Sequence, residues 1–452
     1  MNRRTAGPKM PRGAAVIGQS GGPTAVINQS LAGAVLALRE HGFAKRILGM
    51  RFGVSGLVAG DLVDLTRTSE DHLEAVARTP SAALGSSRDK PDEAECARIV
   101  EECRRHDIRY FFYVGGNDSS DTCRIIHEIA NGREKYELRC FHVPKTIDND
   151  LVFSDHTPGY PSAARFQALA FAADSLDNAS LPGVKINVVM GRHAGFLTAA
   201  AALARGEGDD RDRNGPHLIY LPEVPFDSDR FLADIERVLA RLGRCQVALS
   251  EGVQTGDGKP IITTIVDRLD RDAHGNVQLS GVGALGDALA DHVRKNLKTA
   301  GSKSLRVRAD TFGYIQRSWP DPSPIDVREA RGVATFAVRL AASGLPSSSV
   351  AIRRVRDRPY RAVFEPIALA EVAGKTRRMD PKYVAGLCDV SESFLEYARP
   401  LVGKLPVMTR LRMGGERNAG ERARVTAASG SRTVARNRRL RRGEYARPPR
   451  PD

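Results

Sequence analysis

The sequence predicts an α/β protein made of two doubly wound domains with a cleft between them. Three observations lead there. Short apolar runs alternate with stretches whose apolar residues recur at helical spacing, the pattern of a parallel sheet covered on both faces. The apolar runs end in glycine-rich or polar segments, and open α/β sheets bind ligands outside the carboxyl ends of their strands. The chain has 452 residues, more than one hydrophobic core usually serves.

Residues 14–18 read as a short buried strand and 19–23 as a glycine-rich turn. Ile27, Leu31, Ala34, Val35 and Leu38 then mark the buried face of a helix. The unit recurs: a strand over 110–114, the loop Gly115-Gly116-Asn117-Asp118, and a helix carrying Ile125, Ile126 and Ile129. The next strand, 140–143, runs into Pro144-Lys145-Thr146-Ile147-Asp148-Asn149-Asp150. A helix is expected over 162–177, a strand over 186–190 leading into Gly191-Arg192, and an alanine-dense helix over 194–204. Strands over 218–221 and 247–249 are closed by Glu223 and Glu251, with a polar loop over 206–216 between the alanine-dense helix and the first of them. An apolar run at 305–307 puts Arg308 and Arg317 beside a further strand end, and a long helix covers 326–342. The expected division is an extension over 1–12, a first α/β domain over 13–160, a second over 161–408 with room for part of its C-terminal region to return to the first, and a basic tail over 409–452.

Composition narrows the function. Charged residues make up 27% of the chain, and the longest apolar stretch, 194–204, is too short for a bilayer, which needs about 20 residues. The basic N-terminus leads into no apolar segment of the secretory kind, so a cytoplasmic protein is expected. The cysteines at 96, 103, 123, 140, 245 and 388 form no CxxC pair and read as reduced thiols, with no zinc site. The net charge of +14 is concentrated at one end: the tail holds 13 arginines against 4 acidic residues. The body is only mildly basic, as suits an enzyme that handles phosphates. The tail lacks apolar periodicity and is expected to be disordered, a solvated extension in preference to a nucleic-acid arm. Trp319 and the tyrosines form no stacking series, which also argues against nucleic acid.

The chemistry concentrates at 144–150. Two carboxylates two residues apart follow a lysine and a threonine at a strand end. Asp148 can take a proton from a hydroxyl, and Lys145 can hold an anion as a point charge. Positioning and charge stabilisation of that kind are the substance of phosphoryl transfer to an alcohol. Gly18-Gln19-Ser20-Gly21-Gly22-Pro23 lets the backbone approach a phosphate at a helix N-terminus, although a tight turn explains it nearly as well. It is neither GxGxxG nor a P-loop. Asn117 and Asp118 offer the oxygen ligands that Mg²⁺ prefers; the competing reading makes Asp118 or Ser119 a helix N-cap. Arg192, Arg308 and Arg317 at strand ends, with Arg88 in the polar loop GSSRDKPD, look like two anion pockets. His193 reads as a structural, hydrogen-bonded histidine.

Taken in order, GQSGGPTAVINQ, GSSRDKP, GGNDSSDT, PKTIDND, MGRHAGFLTA, LPE, SEGV and GYIQRS resemble the 6-phosphofructokinase family over residues 14–406. The resemblance implies two Rossmann-like domains, Mg²⁺, a homo-oligomer (dimer or tetramer) and phosphorylation of the 1-hydroxyl of fructose 6-phosphate. ATP-dependent members carry glycine at the positions of Asp118 and Lys145, and the pyrophosphate-dependent branch carries Asp and Lys. The resemblance therefore implies pyrophosphate as donor. The alternatives are an ATP-dependent enzyme and, more remotely, a non-catalytic sugar-phosphate sensor. It also implies Asp148 as general base, with Lys145 and Asp118 completing the catalytic set. Gly21, Gly22, Arg88 and Lys145 would line the diphosphate site. Thr146, Asp150, Met190, Gly191, Arg192, Glu251, Tyr314 and Arg317 would hold the sugar phosphate, with Arg308 reaching a neighbouring subunit. Two positions depart from the family: Asn117 stands where many members have a metal-binding Asp, and Gly183, with Lys185 nearby, where many have an arginine that crosses subunits.

Overall fold

The computed structural model describes residues 10–206, 213–261, 263, 283–297 and 304–409. The expected disorder over most of the tail, and part of the expected loop over 206–216, lie outside the described residues. The helices and strands of the two larger sheets all lie before residue 405, in one compact unit.

The larger sheet is seven-stranded. Its members are β1 (Gly13–Gln19), β2 (Ala44–Met50), β3 (Leu62–Asp64), β4 (Ile108–Gly115), β5 (Arg139–Pro144), β10 (Ser348–Asp357) and β11 (Tyr360–Ala368). The smaller sheet holds β6 (Val184–Val189), β7 (Leu218–Tyr220), β8 (Cys245–Ser250) and β9 (Val307–Thr311). The orders are β11-β10-β5-β4-β1-β2-β3 and β7-β8-β6-β9. The smaller sheet is wholly parallel, and the larger is parallel except for its edge strands β3 and β11.

Alternation along the strands shows why these runs read as continuously apolar. Ala15, Ile17, Tyr110 and Phe112 face one core with the helices Ile27–His41 and Pro324–Ala342, while Ala14, Val16, Phe111 and Tyr113 face another with Glu93–Arg105 and Asn117–Glu128. The smaller sheet is likewise enclosed. Val189, Ile219 and Ala248 pack towards Tyr160–Ser180 and Glu392–Val402, and Ile186, Val188, Val247 and Leu249 towards Ser228–Leu242 and Ala284–Asn296. A strand buried on both faces leaves no polar side to alternate.

Two expectations are corrected in detail, and one placement is added. The alanine-dense segment is an α-helix only over Phe196–Ala199 and continues as a 3-10 helix, Ala200–Arg205, a common tightening at a helix end. The helix Pro324–Ala342 and the hairpin β10–β11 belong with the larger sheet. The run at 305–307 is not a strand ending at Arg308, because pairing with β6 spans 307–311. No helix among the described residues is long and apolar enough to cross a membrane, and all six cysteines are free thiols.

The topology fixes where a ligand can go. The chain lays β2 on one side of β1 and β4 on the other, so connections diverge where Gln19 lies beside Val114. The smaller sheet diverges likewise on either side of β6. Such switch points are where open α/β sheets leave a crevice.

Candidate active site

The ends of β1, β4 and β5 form the floor of one side. A Cβ on Gly115 would collide with Ser119 Oγ, which itself donates to Ser20 Oγ at 2.8 Å. Past β1 the backbone turns left-handed at Gly21 (φ 73°). The Gly21 N–H donates to the Ser87 carbonyl at 2.7 Å and Ser86 Oγ donates to the Gly21 carbonyl. These bonds tie the loop carrying Arg88 to the glycine turn. A Cβ on Gly22 would lie 2.8 Å from an Arg317 nitrogen, and one on Gly21 3.1 Å from Lys145 Nζ. The two glycines thus leave room for cations from both sheets.

Lys145 is buried and donates to the Gly22 carbonyl at 2.9 Å. Burial lowers its pKa to about 8, helped by Arg317 and Arg88 and opposed by Asp148 and Asp150. The Asp148 amide donates to Thr146 Oγ1 at 3.1 Å. Burial pushes the Asp148 carboxyl up, against the charges of Lys145, Arg192, Arg317 and Arg88. Asp150 rises to about 6 through burial and the neighbouring Asp148 charge. Glu251, just past β8, rises to about 7 for the same two reasons. Its carboxylate accepts from the Gly191 N–H at 3.4 Å. Three carboxyls therefore sit within one field, all raised by burial, and two of them, Asp150 and Glu251, change charge near pH 6–7.

From the smaller sheet, Met190 and Arg192 directly follow β6. Gly191 is needed between them: its φ is 123°, and a Cβ would meet the Ala194 carbonyl at 2.9 Å. The Met190 N–H donates to Gln316 Oε1 at 3.2 Å, and Gln167 Nε2 donates to the same oxygen at 2.6 Å. That pair of glutamines sets the 3-10 turn Gly313–Arg317 against the end of β6. Arg317 lies over the half-exposed Tyr314 ring, 4.3 Å from its centroid.

The site therefore assembles Gly21, Gly22, Arg88, Lys145, Thr146, Asp148, Asp150, Met190, Gly191, Arg192, Glu251, Tyr314 and Arg317. His193 is exposed beside Arg192, its imidazole lowered by partial burial and by that charge. Asn117 and Asp118 open the helix Asn117–Glu128, whose N-cap is Gly116. The competing reading of Asp118 as cap is thereby removed. The Asp118 carboxylate is instead 3.1 Å from Lys90 Nζ, and both side chains are largely exposed.

Arg308 is placed elsewhere. It is the second residue of β9, paired beside Lys185 at the strand's amino end, exposed, and donates to the Val307 carbonyl. It joins none of the other residues within this chain. Gly183 has φ 155° with a prospective Cβ 2.4 Å from the Arg306 carbonyl, so no arginine fits there. Lys185 is engaged by Asp174 and Asp310, each at 2.8 Å.

Sequence reasoning missed several residues that shape the site. Asn149 adopts φ 59°, donates to Tyr397 Oη at 2.8 Å and accepts from the Thr157 N–H at 3.1 Å. Gln167 and Gln316 brace the turn at 313–317, and Arg377 braces the turn at 149–155. Gln316 lies inside GYIQRS, so the motif could have exposed it; nothing local marks Gln167 or Arg377.

A family model described as "Phosphofructokinase" matches residues 14–341. The pyrophosphate–fructose 6-phosphate 1-phosphotransferase of Rhodospirillum rubrum is 52% identical over 406 residues, 89% of this chain and 98% of that protein. The enzyme of the same name from Halomonas elongata is 37% identical over 85% of this chain and 90% of its own length. The crystal structure of a pyrophosphate-dependent phosphofructokinase from Nitrosospira multiformis superposes with a TM-score of 0.76 at 32% identity, covering 90% of this chain and 95% of that one.

Proposed function

The chain belongs to the phosphofructokinase family, and on that premise we propose that it transfers a phosphoryl group reversibly from pyrophosphate to the 1-hydroxyl of fructose 6-phosphate. The products are fructose 1,6-bisphosphate and phosphate. The observation that carries this is Lys145, buried between the glycine turn and Asp148, together with the Asp118 carboxylate, which opens the helix after β4. Lys145 supplies a cation to a compact diphosphate. Asp118 repels a nucleotide's α-phosphate.

In the forward direction the Asp148 carboxylate accepts the proton of the 1-hydroxyl as that oxygen bonds to phosphorus. The bridging P–O bond breaks and inorganic phosphate leaves with its electron pair. A carboxyl with a raised pKa is a stronger base than an ordinary Asp, which favours the transfer. Lys145 and Arg88, with the Gly22 N–H of the glycine turn, hold the diphosphate, and its negative charge draws the Lys145 pKa back up. Arg192, Arg317, Tyr314, Glu251, Thr146, Asp150 and the Met190-Gly191 backbone hold the sugar phosphate. The metal donor set is sparse: among the described residues no group of three His, Cys, Asp or Glu gathers. An Asp118 carboxylate and an Asn117 amide suit Mg²⁺, which takes few protein ligands and otherwise binds waters and substrate phosphates. Bound there, Mg²⁺ would neutralise charge on the diphosphate oxygens. A cytoplasmic homo-oligomer is part of the proposal, with Arg308 offered to a neighbouring subunit's sugar phosphate, as is the division into a first domain over 13–160 and a second over 161–408 whose C-terminal region partly returns to the first.

Phosphorus NMR of the purified chain with Mg²⁺, fructose 6-phosphate and pyrophosphate tests the reaction. One equivalent each of phosphate and 1-phosphorylated sugar should appear, and the mixture should run backwards from fructose 1,6-bisphosphate and phosphate. Hydrolysis of pyrophosphate without sugar phosphorylation would overturn it.

A further inference from the structure

We infer that Arg377 is the positioning residue that holds the Asp148–Asp150 turn in its reactive shape. The inference rests on Asp148 being the base. The turn is strained at Asn149, a non-glycine residue at φ 59°. Such a conformation is costly and persists only where its surroundings over-determine it. Arg377 supplies three of the bonds that do so. Its backbone N–H donates to the Asp150 carbonyl at 2.7 Å, its Nε to the Asn149 carbonyl at 2.9 Å, and its Nη2 to the Asp155 carbonyl at 2.7 Å. The preceding residue, Thr376, bridges Leu151. The guanidinium is itself seated over the Phe196 ring, 5.0 Å from the centroid.

One side chain thus gathers carbonyls from both ends of residues 149–155. A planar fork can do this, whereas a lysine ammonium is a single point and cannot span both carbonyls in the same plane. Tyr397 completes the clamp from the far side, accepting from Asn149 Nδ2 and donating to the Asp155 carbonyl at 2.9 Å. Arg377 touches no reacting atom. It acts through the turn, and its charge also bears on Asp150, which is faced by Asp148 on its own loop and by His193 from the segment after β6.

The test uses the full chain, with steady-state rates for both substrates across pH 5.5–9 in wild type, Arg377→Ala and Arg377→Lys. A misplacement of a catalytic group by about 1 Å costs ~10²-fold, so Arg377→Ala should lose activity of that order in kcat while both KM values stay within severalfold. Its acid limb should move to higher pH, because losing the cation raises Asp150. Arg377→Lys should also lose kcat but keep the acid limb near that of wild type, and millimolar guanidinium should restore part of the Ala variant's rate. If kcat in Arg377→Lys stays within severalfold of wild type, or if Arg377→Ala loses kcat with its acid limb unmoved and no guanidinium rescue, the inference is overturned. Asp148→Asn, assayed alongside, fails independently: normal turnover there removes the base assignment and not the clamp. Should Arg377→Ala not fold, Arg377→Lys decides by kcat alone.

Discussion

Residues 145–150 and 155–156 belong to one loop, yet they treat charge in opposite ways. At 145–150 the contacts of the cations are neutral: Lys145 donates to a carbonyl and Arg317 stacks on a tyrosine. Their charges reach Asp148 and Asp150 through space, and burial leaves both carboxyls raised. At 155–156 every charge is closed by a partner. His156 sits between Asp155 at 2.8 Å and Glu329 at 2.5 Å, Arg354 reaches Asp155 at 3.1 Å, and Tyr360 donates to Glu329 at 2.6 Å. The result is a buried imidazole raised to about 9 and an Asp155 carboxyl lowered by hydrogen bonding and charge. The lesson is a division of labour. The closed network fixes the loop's root on β10, β11 and the helix Pro324–Ala342, while the open one is left for substrate phosphates to complete.

Substitutions sharpen this contrast. Asp148→Asn keeps the shape and removes the proton acceptor, so kcat should fall ~10²–10⁴-fold with the melting temperature little changed. Steady-state rates together with calorimetric fructose 6-phosphate binding check it, and full activity would break the contrast at its centre. Next comes Lys145→Gly, which should depress the pyrophosphate reaction ~10²–10³-fold by removing charge stabilisation of the leaving phosphate. Arg192→Gln and Arg317→Gln should act mainly on KM, raising it far more for fructose 6-phosphate than for the diphosphate. Equal effects on both substrates would show that the two anion pockets are misassigned.

The pH responses should separate as well. Activity in kcat/KM should rise as Asp150 and Glu251 ionise near pH 6–7 and fall as free Lys145 loses its proton near 8. Stability follows a different group. The folded His156 pKa lies above its unfolded value of 6.5, so its stabilisation is full below pH 6.5 and is lost as pH rises through about 9. In linkage terms the shift is worth on the order of 3 kcal/mol. The melting temperature of wild type should therefore drop from about pH 6.5 to 8, above which the lowered Lys145 pKa works in the opposite direction, and His156→Gln should start lower and lose that slope. A slope unchanged in His156→Gln would mean that the closed network does not carry the loop's stability.

Much of this was legible in the sequence, for a physical reason. Strands buried on both faces, such as Tyr110–Val114 within β4, read as unbroken apolar runs, and the polar segments after them could only be strand-end loops. β10 and β11 were illegible because they lie at a charged sheet edge: Arg353, Arg356 and Arg361 interrupt any apolar pattern. Arg308 was misplaced because β9 alternates exposed and half-exposed residues after its first, so only Val307 looks like strand interior. Arg377 was out of reach altogether. Its partners are backbone carbonyls distant in the chain, and no local pattern encodes them.

The donor decides the central claim. With purified wild type and saturating fructose 6-phosphate and Mg²⁺, initial rates are measured with pyrophosphate and with ATP, each at saturation. Lys145 and Asp118 predict turnover with pyrophosphate and none above background with ATP, and Asp118→Gly should admit a little ATP use. If wild type turns over ATP as fast as pyrophosphate, the open network is not built for a compact diphosphate, and the ATP-dependent alternative takes its place.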